Sequence, residues 1–140
     1  MARGMTEIER ETFLAQAHIG IVAMEDPGRG PLAVPVWYLY QVGGTVRIMT
    51  GQMSRKAELI ERSGQVTLVV QTEEPPYKYV SIQGTASILG NSDVEERRSL
   101  ARRYLGREGG DAFIDATAEA DNVTIEITPE IWRTFDYSDG

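Results

Sequence analysis

The sequence of 140 residues contains no cysteine and a single histidine, His18. Without cysteine, the chain cannot form a disulfide bond, a catalytic thiol or a thiolate metal site. One histidine also argues against a metal centre built from imidazole ligands. We therefore predict no metal site, and we assign His18 a structural role.

Long apolar runs and an excess of basic residues are absent as well. No stretch approaches the roughly 20 apolar residues that a membrane-spanning helix needs. The N-terminal residues lack the apolar core of a signal peptide, so we expect a cytoplasmic protein. The net charge of -7 argues against general binding to nucleic acids, because such binding requires a basic surface.

The composition is typical of one compact domain. Apolar residues make up 41% and charged residues 25% of the chain, and 140 residues are enough to bury a hydrophobic core. We expect a single domain over residues 1–140, of which about residues 1–5 are disordered.

Hydrophobic alternation predicts about six strands, with short helices between and after them. Thr6 and Asp93 are predicted to cap two helices whose first turns are acidic. Because hairpin turns and alternating strands occur together in a small chain, the fold class is mainly β, an antiparallel barrel with helical plugs. The expected strands cover residues 19–25, 31–42, 45–50, 65–72, 79–89 and 122–137, and further helices are expected after Ser54 and over residues 111–120.

Three strand positions carry residues that interrupt regular pairing. Pro35 has no backbone N–H, so it marks a sheet edge, a bulge or a place where another molecule docks. Gly84 lies on the apolar face of its strand and predicts close packing or a bulge. Pro129 predicts a break in the last strand.

The helix after Ser54 begins with its charges in the unfavourable order. Its first turn carries Arg55 and Lys56, although a helix N-terminus is already positive. One interpretation is that both are solvated surface residues, since their cost is only about 0.3–1 kcal/mol. The other is an anion site, in which backbone N–H groups, the hydroxyls of Thr50 and Ser54 and the two cations bind a phosphate, and Gly51 allows close approach. The chain has no P-loop and no GxGxxG motif.

The helix after Asp93 has the favourable charge order, with Glu95 and Glu96 first and its arginines later. These arginines are interpreted as a solvated face paired with the acids: Arg97, Arg98, Arg102 and Arg103.

Four short motifs follow one another along the chain. They are PVW at residues 35–37, T…S.K at residues 50–56, V.I.G.A at residues 80–86 and YLG at residues 104–106. Their order and spacing resemble the pyridoxamine 5'-phosphate oxidase-like split-barrel superfamily, and more narrowly its flavin/deazaflavin oxidoreductase branch. The resemblance covers nearly the whole chain, from about Phe13 to Tyr137. It implies a homodimer of six-stranded antiparallel split barrels of the FMN-binding type, with FMN or the deazaflavin F420 in grooves at the dimer interface.

The resemblance also implies roles for individual residues. Lys56 corresponds to the lysine that contacts the cofactor phosphate, and residues 35–37 pass beside the tricyclic ring. The last strand reaches across to the partner's site. The predicted cofactor-binding residues are Pro35, Val36, Trp37, Thr50, Gly51, Ser54, Arg55, Lys56 and Gln71, and further candidates are Lys78, Trp132, Arg133 and Phe135.

The resemblance favours an F420-dependent reductase that transfers a hydride from reduced F420 to a small organic acceptor. Arg55 beside Lys56 suits the acidic oligoglutamate tail of F420. Two alternatives stay open: an FMN-binding oxidoreductase, and a non-catalytic carrier of a flavin or of F420. No catalytic side chain is predicted, because hydride transfer from a cofactor needs no side-chain nucleophile.

Overall fold

The computed structural model describes residues 3–138, which form three helices and one antiparallel sheet of seven strands. The helices are α1 (Glu7–Ala15), α2 (Arg55–Ser63) and α3 (Val94–Ala116). The strands are β1 (Gly20–Met24), β2 (Leu32–Val36), β3 (Leu39–Tyr40), β4 (Val46–Gly51), β5 (Gln65–Gln71), β6 (Lys78–Asn91) and β7 (Asn122–Asp136). In this part of the chain, no helix is both long and apolar enough to cross a membrane.

The sheet curls into a barrel because β2 and β3 lie at its two edges. The strand order is β2-β1-β5-β6-β7-β4-β3, so two strands that are consecutive in the chain are at opposite edges of the sheet. Trp37 and Tyr38 are the two residues between them. The sheet must therefore bend until its edges approach each other. This division of the strand expected over residues 31–42 accounts for seven strands instead of six.

The N-terminal segment forms hydrogen bonds with the last strand, and its residue Thr6 caps α1. Arg3 exchanges two backbone hydrogen bonds with Asp136, at 3.0 and 2.6 Å. Thr6 caps α1 as predicted. Its Oγ1 accepts from Glu9 N at 3.2 Å, and the Glu9 carboxylate accepts from Thr6 N at 3.0 Å. Of the residues expected to be disordered, 1 and 2 lie outside the described part of the chain.

Gly84 lies at a bulge between β6 and β7, as its position predicted. It pairs with Pro129, and the register shifts there so that Glu130 is an extra residue in β7. A Cβ atom at position 84 would lie 1.9 Å from the carbonyl oxygen of Thr128, so no larger residue fits without a backbone shift. The predicted break at Pro129 is therefore a bulge within a continuous strand.

One apolar core fills the inside of the curled sheet. Alternate strand residues point inward and are fully buried, and α2 adds two more from its inner face. Tyr38 is also fully buried, and burial raises the pKa of its phenol. Its hydroxyl donates to the carbonyl oxygen of Leu14 at 2.9 Å. The fully buried aliphatic side chains include Val22, Ile48, Leu59, Ile60, Leu68, Val70, Ile82, Ile125 and Ile127.

α3 folds back on itself at Gly106, where φ is +78°. Glycine adopts this conformation readily, and it divides the helix into two segments that lie side by side, which we call the α3 hairpin (residues 94–116). Asp93 caps the first segment as predicted, since its Oδ2 accepts from Glu96 N at 3.1 Å. The second segment contains most of the helix predicted over residues 111–120.

The arginines of the α3 hairpin do not form the expected solvated face. Arg98 and Arg102 donate to Asp111 at 2.9 and 2.8 Å, which ties the two segments together. Arg103 donates to carbonyl groups at the C-terminal end of α1, where a helix leaves such groups without internal partners. The expectation is wrong for Arg97, Arg102 and Arg103, because their partners come from other segments of the fold.

Candidate functional site

A cavity of about 610 Å³ lies between the α3 hairpin and the strands β2 and β4. Its wall is mainly apolar and includes Met49 of β4 together with Leu100, Ala101 and Ile114 of the hairpin. Residues 35–37, predicted to pass beside a cofactor ring, line it as well. A cavity of this size and polarity is suited to a small organic ligand.

One end of the cavity is aromatic. The indole ring of Trp37 stacks on Tyr104, with ring centroids 5.1 Å apart and planes at 7°, and it contacts Phe113 at 5.4 Å. The Tyr104 hydroxyl accepts from Tyr38 N at 3.1 Å and donates to the carbonyl oxygen of His18 at 2.7 Å. These hydrogen bonds position the backbone of the two residues between β2 and β3. Because Trp37 is one of them, the bonds also position its ring.

Lys56, in the first turn of α2, is a charged residue of the cavity lining. Its side chain is half-buried. Within residues 3–138, its ammonium group has no ion-pair or hydrogen-bond partner. An ammonium group without a protein partner in a cavity is available for a charge-assisted hydrogen bond. This position therefore favours an anionic group on a bound ligand.

Arg55 is next to Lys56 in the sequence but lies outside the cavity. Its guanidinium group donates to Asp26 Oδ1 at 2.6 Å and to Glu58 Oε1 at 3.0 Å. The Asp26 side chain is only 7% exposed, so this carboxylate depends on its partner. The two acids offset the positive charge at the helix start. Arg55 thus has an intramolecular role, and the structure does not bring it to the predicted cofactor phosphate.

The two hydroxyl groups predicted to bind phosphate are used by the cap of α2. Ser54 is the N-cap residue, and its Oγ accepts from Ala57 N at 3.2 Å. The same oxygen accepts from Thr50 Oγ1 at 3.1 Å, at the buried end of β4. Gly51 is exposed, and a Cβ there would meet no other part of the described chain within 4 Å. Of the predicted phosphate cluster, Lys56 is the member that the structure brings to the cavity.

Lys56 and Arg97 lie at the same end of the cavity. β4 pairs with β7 through Gly51 and Asn122, so the start of α2 is beside the connection from the α3 hairpin to β7. Arg97 donates to Thr117 Oγ1 at 2.8 Å, at the beginning of that connection. Arg97, Thr117 and Asn122 all line the cavity. This end is therefore polar and cationic.

The α3 hairpin determines how far the two ends are apart. Arg97 and Tyr104 are separated by about 10 Å along the first segment, at a rise of about 1.5 Å per residue. In the second segment, Phe113 contacts Trp37, and Thr117, which directly follows this segment, contacts Arg97. Both segments therefore have their aromatic residues toward one end of the cavity and their polar residues toward the other. An aromatic end and a cationic end fit a cofactor that has a flat ring at one end and a phosphate at the other.

A family model described as pyridoxamine 5'-phosphate oxidase matches residues 6–136. The chain belongs to this family. Its curled antiparallel sheet is accordingly the split barrel of the pyridoxamine 5'-phosphate oxidase family, a flavin-binding fold. A comparison with curated proteins gave no match.

Three solved structures share this split barrel. The conserved hypothetical protein Rv2991 from Mycobacterium tuberculosis is 21% identical, with a TM-score of 0.76, over 95% of this chain and 86% of its own. An F420 reductase is 21% identical, with a TM-score of 0.71, over 88% of this chain and 94% of its own. A FAD-binding protein from Mesorhizobium loti is 19% identical, with a TM-score of 0.70, over 99% of this chain and 98% of its own. At these identities the likeness shows the fold alone.

The split barrel places the other predicted residues away from the cavity of their own chain. Gln71 ends β5 and is exposed, and Lys78 begins β6. Trp132, Arg133 and Phe135 lie near the C-terminal end of β7, whereas the first residue of that strand lines the cavity. Within one chain these residues do not meet Lys56, and their contact with a partner's cofactor stays a prediction.

Sequence reasoning missed the contribution of the α3 hairpin to this family member's cavity. Arg97, Leu100 and Tyr104 recur at spacings of three and four residues and share one helix face. The first two line the cavity, and Tyr104 supports the aromatic end. Phe113 of the second segment and Thr117, which follows it, also line the cavity. The spacing of three and four residues along this face could have indicated a shared cavity wall, but the charge pattern predicts a solvated position for Arg97.

Proposed function

We propose that this protein is an oxidoreductase that binds the deazaflavin F420 in the cavity and transfers a hydride from its reduced form to a small organic acceptor. The proposal rests on one observation. Lys56, which has no partner within residues 3–138, and Trp37, which is fixed by stacking, occupy a single apolar cavity. F420 and FMN both combine a flat tricyclic ring with a phosphate, and this pattern of polarity suits them.

Each part of the cavity has its own role in the proposal. Lys56 holds the cofactor phosphate through charge-assisted hydrogen bonds. Trp37 positions the ring, because its stacking on Tyr104 leaves it little freedom. The apolar wall formed by Leu100 and Ile114 excludes water from the reacting ring. The bound cofactor supplies the hydride, so the protein needs no side-chain nucleophile.

F420 and FMN are supported by different observations. The likeness to an F420 reductase favours F420. FMN is the second candidate because Arg55, expected to bind the acidic tail of F420, is held by Asp26 and Glu58 instead. FMN lacks that tail and requires a phosphate anchor only.

A non-catalytic carrier of F420 or of a flavin is the third candidate. Among the described residues, those that line the cavity include no carboxylate, histidine or tyrosine. The cavity wall therefore offers no acid that titrates near neutral pH, which a reductase would use to protonate its product. A reductase of this design takes its proton from solvent or from a second subunit, whereas a carrier needs none.

We also propose that the protein works as a homodimer with the cavity at the subunit interface. Ile19 and Phe113 line the cavity although they are 48% and 40% exposed, and Ile21 nearby is 38% exposed. Apolar side chains at a cavity mouth are suited to coverage by a second copy. Sedimentation equilibrium tests this. We expect a dimer for the wild type and a shift toward monomer for Ile21→Asp, while a monomeric wild type contradicts the proposal.

Parallel titration with F420 and with FMN tests the cofactor assignment. We expect the fluorescence of F420 to change saturably as the protein is added, and FMN to bind more weakly. Tight binding of FMN without binding of F420 supports the FMN enzyme. Failure to bind either cofactor excludes both enzymes and the carrier.

Turnover separates the reductase from the carrier. The protein is loaded with reduced F420 and offered a panel of enones, quinones and nitro compounds under anaerobic conditions. Faster reoxidation of F420 than in the absence of protein, with at least one acceptor, is the result expected of a reductase. Tight binding with no protein-dependent reoxidation supports the carrier.

A further inference from the structure

We propose that Arg97 is a second anion-binding residue of the cavity, which binds phosphoryl oxygens of the ligand together with Lys56. This inference rests on the proposed function, because it names the chemistry that the cationic end of the cavity recognises. It assigns a ligand-binding role to a residue that the sequence pattern had placed in solvent.

Among residues 3–138, Arg97 has no acidic partner, although two glutamates are close to it in the sequence. Glu95 pairs with Arg98 at 3.6 Å, and Glu96 pairs with Arg47 of β4 at 2.9 Å. Within residues 3–138, the hydrogen bonds of Arg97 go to Thr117, with Nη2 at 2.8 Å from Oγ1 and 3.5 Å from the carbonyl oxygen. In a protein with a net charge of -7, a half-buried guanidinium group without a carboxylate is unusual.

Thr117 holds Arg97 in an orientation that leaves most of its donors available. A guanidinium group carries five N–H donors, and the bonds to Thr117 use Nη2 only. Thr117 Oγ1 donates its own proton to the carbonyl oxygen of Phe113 at 2.8 Å, so its lone pairs are directed to accept from Arg97. The N–H donors on Nε and Nη1 therefore stay available to phosphoryl oxygens while the contact with Thr117 fixes the orientation of the group.

Two cations at one end of the cavity suit a phosphate better than a carboxylate. Lys56 and Arg97 approach this end from different elements, α2 and the α3 hairpin. A phosphate monoester carries a charge of about -1.5 to -2 near pH 7 and presents several acceptor oxygens, so it can bind both cations at once. A phosphodiester such as that of F420 presents oxygens to the same two groups with a smaller charge.

The competing explanation is that Arg97 only braces the α3 hairpin through Thr117. A bracing residue affects every ligand of the cavity equally, because its loss changes the shape of the wall. A phosphate-binding residue affects phosphorylated ligands and spares those that lack the phosphate. The comparison of matched ligand pairs therefore separates the two roles.

The experiment measures the affinity of wild type and Arg97→Gln for FMN against riboflavin, and for F420 against the deazaflavin nucleoside that lacks the phosphate and tail. We expect Arg97→Gln to weaken binding of FMN and F420 roughly tenfold or more and to leave the phosphate-free ligands within about twofold. Thr117→Val should give the same pattern with a smaller loss. Equal weakening of both members of a pair overturns the inference.

Arg107→Gln is the matched control, since Arg107 is an exposed arginine of the same hairpin and its substitution makes the same change in net charge. It should bind all four ligands as the wild type does. Thermal unfolding of each variant shows whether the fold is intact, and Arg97→Lys, which keeps the charge, should recover part of the affinity for FMN.

Inorganic phosphate and pyrophosphate keep the inference testable without a flavin. If the wild type binds neither FMN nor F420, the proposed function fails. In that case the side-chain NMR signal of Arg97 Nε–H is followed during titration with the two anions. A saturable shift that is absent in a Lys56→Ala, Arg97→Gln double variant supports the two-cation site, and no shift overturns it.

Discussion

The Arg55 guanidinium group donates a hydrogen bond of 2.6 Å to Asp26 Oδ1, and the Asp26 side chain is only 7% exposed. This contact turns Arg55 away from the cavity that its neighbour Lys56 lines. Two adjacent cations at one helix start thus have different roles. One completes an internal ion pair, and the other lines the cavity.

Removing Arg55 should destabilise the protein more than removing Asp26, although the two residues form one ion pair. Arg55→Ala leaves a buried carboxylate without its strongest partner, so we expect a measurable decrease in the free energy of unfolding. Asp26→Ala should cost less, because Arg55 is half-exposed and keeps Glu58. Urea denaturation measures both. Arg62→Ala, an exposed change in the last turn of α2, is the control, and an Arg55→Ala variant no less stable than this control contradicts the account.

Lys56 should be the principal phosphate anchor. We expect Lys56→Ala to lose about 1.5–3 kcal/mol of binding free energy for FMN or F420, the usual value of a charge-assisted contact, with little change in thermal stability. Isothermal titration calorimetry at low salt gives the affinity. Arg62→Ala should bind as tightly as the wild type. Unchanged affinity in Lys56→Ala would show that the phosphate binds elsewhere.

Tryptophan fluorescence can show which end of the molecule meets the cofactor ring. The chain has two tryptophans, Trp37 at the aromatic end of the cavity and Trp132 beneath the guanidinium group of Arg10 at 3.8 Å. Cofactor binding should quench Trp37 through contact with the ring. We expect the quenching to persist in Trp132→Phe and to be largely lost in Trp37→Phe. The reverse result would place the ring beside the last strand, which the resemblance implies reaches across to the partner's site.

The bulge at Gly84 should be intolerant of any side chain. A Cβ there would lie 1.9 Å from the carbonyl oxygen of Thr128, so Gly84→Ala must shift the backbone of β7. We expect it to destabilise the protein by about 2–4 kcal/mol. Gly30→Ala is the control, since its Cβ would contact nothing within 4 Å and should change stability by less than about 0.5 kcal/mol. Similar midpoints of urea denaturation for the two variants would show that the strands can separate at little cost.

Asp111 should make the α3 hairpin sensitive to acid. Hydrogen bonds from Arg102 and Arg98 lower the pKa of Asp111 from 3.8 to about 2. Because the pKa is lower in the folded chain than in the unfolded chain, the ionised carboxylate stabilises the fold at neutral pH, and this contribution is lost as the pH falls from about 4 toward 2. Thermal unfolding of Asp111→Asn should therefore differ from the wild type at pH 7, and this difference should shrink as the pH falls from about 4 toward 2.

The exposed Glu108 on the same hairpin provides the comparison for Asp111. We expect Glu108→Gln to follow the wild type at every pH, because no charged partner within residues 3–138 contacts this side chain. A difference between Asp111→Asn and the wild type that stays constant down to pH 2 would show that the carboxylate acts by packing and not by its charge.

The sequence by itself determined the features that depend on residues close together in the chain. Thr6 and Asp93 cap their helices through N–H groups three residues away, and short-range side-chain chemistry of this kind is visible in a sequence. Strand alternation depends on a period of two residues, so the buried faces of β5 and β6 were also predictable. The motifs were sufficient for the family and, through Lys56 and residues 35–37, for part of the cavity.

The tertiary structure alone decided which charged groups face the cavity. Asp26 is 29 residues from Arg55, and Thr117 is 20 residues from Arg97, so neither contact follows from local periodicity. The division of the strand over residues 31–42 likewise depended on the closure of the sheet, in which β2 and β3 join opposite edges. A sequence pattern shows which side of an element is buried, but the partner of a charge is the group that packing brings within hydrogen-bond distance, and that is known only when the chain has folded.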